Sequence, residues 1–252
     1  AQRAGRRPEH FVGGDPHDAP MPMDYFVWLV RNSERTVVVD TGFSAATAER
    51  RGREFLRSAR AGFELLGTRA GQISDVVITH MHNDHAGTMG DFDQARFHIQ
   101  DAEMAYVTGR HMGERLLRRP YELDDVTTMV RLAFAGRVAF HAGDEEIAPG
   151  ISVHHIGGHT PGLQSVRVHT ARGWMVLASD ASHYYEHFEN ARVFPVTVNL
   201  ADVLQGYAKL DRLAESPRHI VPGHDPLVMR RYPAASPGLE GIVVRLDAEP
   251  VY

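Results

Sequence analysis

Thr79-His80-Met81-His82-Asn83-Asp84-His85, which follows the apolar run Val76-Val77-Ile78, decides how the rest of the chain is read. Three imidazoles and a carboxylate are packed into six positions where a short apolar strand gives way to a loop, and that density of strong metal-binding groups points to a metal site. The chain contains no cysteine. Disulfides, thiolate ligands and cysteine nucleophiles are therefore excluded together, and any metal must be held by imidazole and carboxylate.

The same strand-to-loop transition recurs four times outward from this cluster. Val37-Val38-Val39 leads to Asp40; His154-His155-Ile156-Gly157-Gly158 leads to His159; Met175-Val176-Leu177-Ala178-Ser179 leads to Asp180; and Ile220-Val221-Pro222-Gly223 leads to His224. Polar groups at the same end of several strands are what a sheet scaffold needs to converge side chains on one cleft. Asp40 within Asp40-Thr41-Gly42 reads equally well as a residue that closes a turn. His154, His155, His141, His169 and His219 have no spacing that ties them to the cluster, so they read as ordinary hydrogen-bonded core or surface residues.

Residues 1–24 are rich in Pro, Gly and charge and read as an irregular arm. Tyr25–Val30 and Thr36–Val39 read as a β-hairpin around Arg31–Arg35. Ala45–Leu66 reads as a helix with breaks at Gly52 and Gly62, and its apolar face carries Phe55, Leu56, Phe63, Leu65 and Leu66. Asp75–Thr79 and Arg96–Ile99 read as strands, with Asp101 capping a helix through Val107. Residues 109–136 read as a helical insertion between two halves. Strands are expected at 137–140, 151–156, 165–169, 174–178, 219–221 and 242–246, with a helix over 200–214. Two successive passes of strands then helix imply an α/β (α+β) fold of two packed sheets with helices outside, in one domain spanning 1–252.

Composition narrows the classes further. At 43% hydrophobic and 23% charged residues the 252-residue chain is an ordinary globule. No apolar run approaches the roughly 18 to 20 residues that span a bilayer, and no secretory signal follows Arg3, Arg6 and Arg7. The expected location is cytoplasmic, with no membrane partner. A net charge of −5 without a long basic block speaks against a nucleic-acid partner.

With these motifs in hand, the chain resembles the metallo-β-lactamase superfamily hydrolases, and within them the N-acyl homoserine lactonase (quorum-quenching) branch. The resemblance rests on His82-Asn83-Asp84-His85-Ala86-Gly87, Gly158-His159-Thr160-Pro161-Gly162-Leu163-Gln164-Ser165, Ser179-Asp180-Ala181-Ser182 and Gly223-His224-Asp225, and it covers nearly all of residues 25–246. It implies a four-layer αββα sandwich of two mixed sheets with a dinuclear metal site at one edge. His80, His82 and His159 would hold one metal; Asp84, His85 and His224 the other; Asp180 would bridge them, and Asp40 would orient ligands from behind. Zinc suits this N/O set first, and cobalt, manganese and iron suit it too. Two divalent ions against Asp84, Asp180 and a bridging hydroxide leave a small positive excess that can polarise a carbonyl.

The resemblance further implies a dinuclear metal-dependent hydrolase acting on ester bonds: a bridging hydroxide opens a lactone, N-acyl homoserine lactone above all. Asp84 or Asp180 would relay the proton. Those lactonases place a Tyr three residues after the bridging Asp, where this chain has His183 followed by Tyr184 and Tyr185. Either His183 takes the carbonyl-binding role or Tyr184 swings into it, while Tyr185 reads as an ordinary loop aromatic. Met21, Met23 and Phe43 are the expected acyl-pocket residues. A homodimer is also in keeping with the resemblance. The alternative is another ester or lactone hydrolase of the same fold, or a glyoxalase II-like thioesterase; the latter needs a basic patch, and only Arg230 and Arg231 near Tyr232 offer one.

Overall fold

A computed structural model describes residues 1–252. At the N-terminus β1 (Gln2–Arg3) pairs antiparallel with β2 (Met23–Asp24). One five-stranded sheet follows, in the order β3 (Trp28–Arg31), β4 (Thr36–Val39), β5 (Asp75–Val77), β6 (Arg96–Gln100) and β7 (Val138–His141). Its first pair is an antiparallel hairpin and the rest is parallel. The second sheet runs β8 (Glu145–Ala148), β9 (Ile151–His155), β10 (Gln164–Thr170), β11 (Gly173–Ser179) and β12 (Ile220–Pro222), antiparallel except for the parallel β11–β12 pair. Both sheets are mixed.

The layers follow from strand alternation. Successive side chains on a strand face opposite sides of the sheet, so Val37 and Val39 of β4 pack with Val166, Val168, Met175 and Leu177 between the sheets, while Val38 faces the other way. There it meets Val76, Phe97 and Ile99 under helices α1 (Ala45–Arg50), α2 (Ala59–Glu64), α3 (Asn83–Ala86), α4 (Asp101–Val107), α5 (Arg115–Arg118) and α6 (Leu123–Phe134), of which α2, α4 and α6 contribute Phe63, Val107 and Met129. On the far side of the second sheet Val176, Ala178 and Ile220 pack against Val203, Tyr207 and Leu210. These last three belong to α8 (Leu200–Leu213), which lies between α7 (Tyr185–Glu189) and α9 (Leu227–Arg231). Each fully buried valine or leucine in these interfaces contributes roughly 1.5–3 kcal/mol. Three apolar seams separate four layers, the αββα sandwich expected from the motifs.

Several local readings are corrected. Residues 45–66 form two helices, each started by a serine whose side chain accepts a backbone N–H, Ser44 from Thr47 and Ser58 from Ala61. Gly52, at φ 62°, ends the first, whereas Gly62 lies inside the second without breaking it. Helix α4 begins at Asp101 itself with Gln100 as its N-cap, and no side chain caps it. The arm is not free of regular structure, since β1 and β2 tie its two ends together. Residues 242–246 form no strand; only an isolated bridge joins Ala234 and Val244. The edge strand β8 went unread because Glu145 and Glu146 break its apolar pattern. Residues 109–136 are helical and precede β7, the last strand of the first sheet, rather than dividing the two sheets. No helix is long and apolar enough to cross a membrane.

Candidate metal centre

Three strands of the two sheets end at one edge and release the ligand-bearing loops there. After β5 come His80 and His82, with Asp84 and His85 on the single turn of α3; after β11 comes Asp180; after β12 comes His224. His159 arrives in the loop between β9 and β10, through Gly157 and Gly158 at φ 76° and 82°. Gly158 has a second constraint, because a Cβ there would lie 2.6 Å from the Val203 amide nitrogen of α8.

The donor atoms converge in three overlapping groups, one of which joins His183 to Asp180 and His224. His80, His82, His159 and Asp180 bring one ligand atom each to within 4.8 Å of one another, and Asp84, His85 and His224 do the same. His159 Nε2 lies 2.9 Å from His82 Nδ1 and 3.2 Å from His80 Nε2. Asp180 spans both groups: Oδ2 is 3.2 Å from His159 Nε2, while Oδ1 is 2.9 Å from His224 Nε2 and 3.3 Å from His85 Nε2. The structure thus brings together all seven residues that the sequence nominated as ligands.

The outward ring nitrogens are held by the protein. His85 Nδ1–H donates to Asp40 Oδ2 at 2.7 Å, His224 Nδ1–H donates to the Asp24 carbonyl at 2.7 Å, and His159 Nδ1–H donates to the Val196 carbonyl. With a proton on each outer nitrogen, the inner nitrogen presents its lone pair to the centre. Asp40 also accepts the Thr79 amide and hydroxyl, both at 2.8 Å. It sits at φ 61°, as Ser179 does at φ 49°, and the two side chains meet at 3.2 Å. Left-handed backbone at non-glycine residues costs of order 1–3 kcal/mol and persists where its surroundings enforce it.

The donor set fits divalent cations on grounds internal to the fold. His85 Nε2 and Asp180 Oδ1 are buried, face each other and have no hydrogen-bond partner. Lone pairs that converge without protons between them need positive charge. Burial pushes His80 and His82 well below the usual imidazole range, the neutral form that ligates. Burial works against ionised Asp180, but His224, His85 and His183 outweigh it and keep the carboxylate charged. The same balance, burial overcome by His85, holds Asp84 down. Burial also disfavours charged His85, yet Asp180, Asp40 and Asp84 lift its pKa well above the ordinary value.

His183 Nε2 lies 3.1 Å from Asp180 Oδ2, and its ring stacks on Phe194 with centroids 3.8 Å apart. Tyr184 does not swing in: its hydroxyl donates to the Pro22 carbonyl at 3.2 Å, turned to the N-terminal arm beside His10. Tyr185 is buried, and its amide donates to Asp225. Phe43 is buried against Tyr25 and borders a cavity of about 160 Å³ with Phe55 and Met229. Met21 and Met23 do not line it; Met23 is a core residue paired with Arg3. His154 and His155 bond to Ser152 and to the Pro161 carbonyl, away from the centre, and His141 stacks on His98.

Glu103 and Tyr25 went unnoticed in the sequence. Glu103 is fully buried and accepts from Met81 N, Thr160 Oγ1 and Gly162 N at 2.9, 2.6 and 3.2 Å, which joins the loop of His80 and His82 to that of His159. A carboxylate in register with the buried residues Tyr106 and Val107 of α4 was the available signal. Tyr25 stands edge-on to His224.

Comparisons with known proteins agree with the fold. A solved N-acyl homoserine lactone hydrolase, with the product N-hexanoyl-L-homoserine at its catalytic metal centre, superposes with a TM-score of 0.73 at 20% identity, covering 89% of this chain and 90% of that one. An N-acyl homoserine lactonase of a Bacillus species is 34% identical over 116 residues, 46% of this chain, and the match spans only 41% of that enzyme's length. A protein of Mycobacterium tuberculosis named as a probable metallo-hydrolase is 26% identical over 215 residues, 79% of this chain and 69% of its own. Residues 21–235, which carry every ligand loop described above, match the Metallo-beta-lactamase superfamily, and the chain belongs to that family.

Proposed function

We propose that the chain is a dinuclear metal-dependent hydrolase that opens the ester bond of a lactone, with N-acyl homoserine lactones as the first substrates to try. The observation that carries this reading is Asp180, whose two carboxylate oxygens reach the two donor groups separately. Two divalent ions held there, zinc by preference, would lower the pKa of a bound water and polarise the substrate carbonyl. The similarity to lactonases supports the substrate class, and no thiolate chemistry competes in a chain without cysteine.

The protein's own groups then have distinct tasks. His80, His82 and His159 form one ligand set; Asp84, His85 and His224 form the other; and Asp40 keeps His85 in the ligating tautomer. His183, braced on Phe194 and 3.1 Å from Asp180 Oδ2, holds the substrate carbonyl in this reading. Asp84, at the more open side of the centre, takes up the proton released as water adds to the acyl carbon and returns it as the acyl C–O bond breaks, leaving a carboxylate and an alcohol. The cavity beside Phe43 is the proposed berth for apolar substrate atoms. A cytoplasmic location belongs to the same proposal.

The test pairs metal analysis with a substrate panel. Two equivalents of metal per chain and turnover of acyl homoserine lactones, lost in Asp180→Asn, are expected. Hydrolysis of a hydroxyacyl glutathione thioester without any lactone hydrolysis would replace the lactonase reading, and full activity in Asp180→Asn would remove the bridging role.

A further inference from the structure

Tyr25 is the aromatic residue of the centre that the reading above leaves without a task. Its ring is edge-on to His224, with centroids 5.0 Å apart at 71°, and edge-on to Phe43, at 5.1 Å and 65°. It follows Asp24 directly, and the Asp24 carbonyl is the group that orients His224. The backbone that sets one ligand therefore sets the position of this ring as well.

Its hydroxyl differs from those of the neighbouring tyrosines. The Tyr184 hydroxyl is engaged with backbone carbonyls, and the Tyr121 hydroxyl, beside His82, is sealed from solvent. The hydroxyl of half-buried Tyr25 makes no hydrogen bond to the protein and is not sealed, and the residue borders the cavity shared with Phe43. Its ring contact is with His224, whose donor atom groups with those of Asp84 and His85. His183 also stands edge-on to His224, with centroids 4.9 Å apart, and its Nε2 lies 3.1 Å from Asp180 Oδ2.

Two separate hydrogen-bond donors beside His224, His183 reaching Asp180 and Tyr25 bordering the cavity, match the needs of an ester, which has both a carbonyl oxygen and a departing oxygen on the acyl carbon. We infer that Tyr25 is a further catalytic residue, whose hydroxyl donates a hydrogen bond to the departing ester oxygen. The inference rests on the hydrolase reading above. As the acyl C–O bond breaks, the electron pair moves onto that oxygen, and a fixed O–H dipole stabilises the charge as it develops. Tyr25 keeps its proton throughout; the alcohol takes the proton released by the attacking water.

The experiment compares the metal-loaded wild type with Tyr25→Phe, which retains the ring contacts and removes only the oxygen, across esters of one acyl group whose alcohols range from alkyl to p-nitrophenyl. Metal content and melting temperature should match the wild type. With alkyl alcohols and lactones, kcat should fall by about a hundredfold at nearly constant KM, and with p-nitrophenol the loss should almost vanish, because a good leaving group needs little help. A loss equal across all alcohols, no loss at all, or depletion of metal in the variant would each overturn the role. A wild type inactive on every ester and lactone would remove the hydrolase reading and Tyr25's part with it, whereas an active wild type matched by Tyr25→Phe removes only Tyr25.

Discussion

Glu103 Oε1 accepts the backbone amide of Met81 at 2.9 Å, so a carboxylate on α4 holds the residue between His80 and His82 of the cluster. Its other oxygen holds Thr160 and Gly162, one and three residues beyond His159. Gly162 passes so close that a Cβ there would overlap the backbone of Glu103 itself. Removing the carboxylate in Glu103→Ala leaves three buried donors unpaired, at about 1–3 kcal/mol each. Urea unfolding should register a loss of about 3 kcal/mol or more, with weaker metal retention. Glu103→Gln keeps an accepting oxygen and should fall between the two. An alanine variant as stable as the wild type would show that the loops are held by other contacts.

Asp40→Asn separates the turn from the ligand support. Asparagine tolerates a left-handed φ, so the backbone at φ 61° should survive. The amide cannot supply the charge that His85 Nδ1–H meets at 2.7 Å. Metal affinity, followed by competition with a chelator, should drop about 10- to 100-fold with little change in the unfolding midpoint. Unaltered affinity would deny Asp40 any influence on the ligand.

His183 and Tyr184 are adjacent yet should respond in opposite ways. His183→Ala should cut turnover of lactones strongly while leaving metal content intact. Tyr184→Phe should cost about 1 kcal/mol in stability, since its hydroxyl donates only to backbone of the arm, and should leave kcat within a factor of a few. Steady-state kinetics on both variants decides; a larger kinetic defect in Tyr184→Phe would reverse the assignment.

Chelation should lower the melting temperature, and zinc should restore it. Five histidines and two aspartates of the cluster would otherwise keep their lone pairs facing one another inside the fold. A melting curve indifferent to chelator and to added zinc would mean that no ion contributes to stability.

A pH effect is expected on α6. Burial, reinforced by Glu122 and Asp124, pushes the Asp125 carboxyl up to about 7, and its Oδ2 has no partner. A raised carboxylate pKa means that the folded chain holds a proton the unfolded chain has released. Stability is therefore lost as pH climbs from about 4 to about 7, and the deficit remains above that. Asp125→Asn should gain stability over the wild type, and the gain should grow between pH 5 and pH 8 in urea titrations. A difference that stays flat over that interval would mean that Asp125 titrates normally.

The seven residues of the cluster were readable because each follows an apolar strand within a few positions, and strand ends are local features. His183 was visible as a departure at a definite position. Glu103 and Tyr25 were not, because their partners lie far along the chain: Glu103 meets Thr160, and Tyr25 meets His224. Such pairings arise only when α4 and β2 are docked. The expected strand at 242–246 failed for a related reason: a short β-rich run needs a neighbour with free backbone groups, and only a single bridge to Ala234 is available.

The order of apolar runs and polar endpoints was enough by itself to determine a two-sheet sandwich with seven clustered histidines and aspartates along one edge, since both follow from side-chain alternation and from spacing along the chain. Tertiary packing alone decided that Tyr25 stands against His224, that the Asp24 and Val196 carbonyls and the Asp40 carboxylate hold His224, His159 and His85, and that Asp180 reaches both donor groups. Those are distances between segments that only the stacking of two sheets brings together, and no local propensity encodes them.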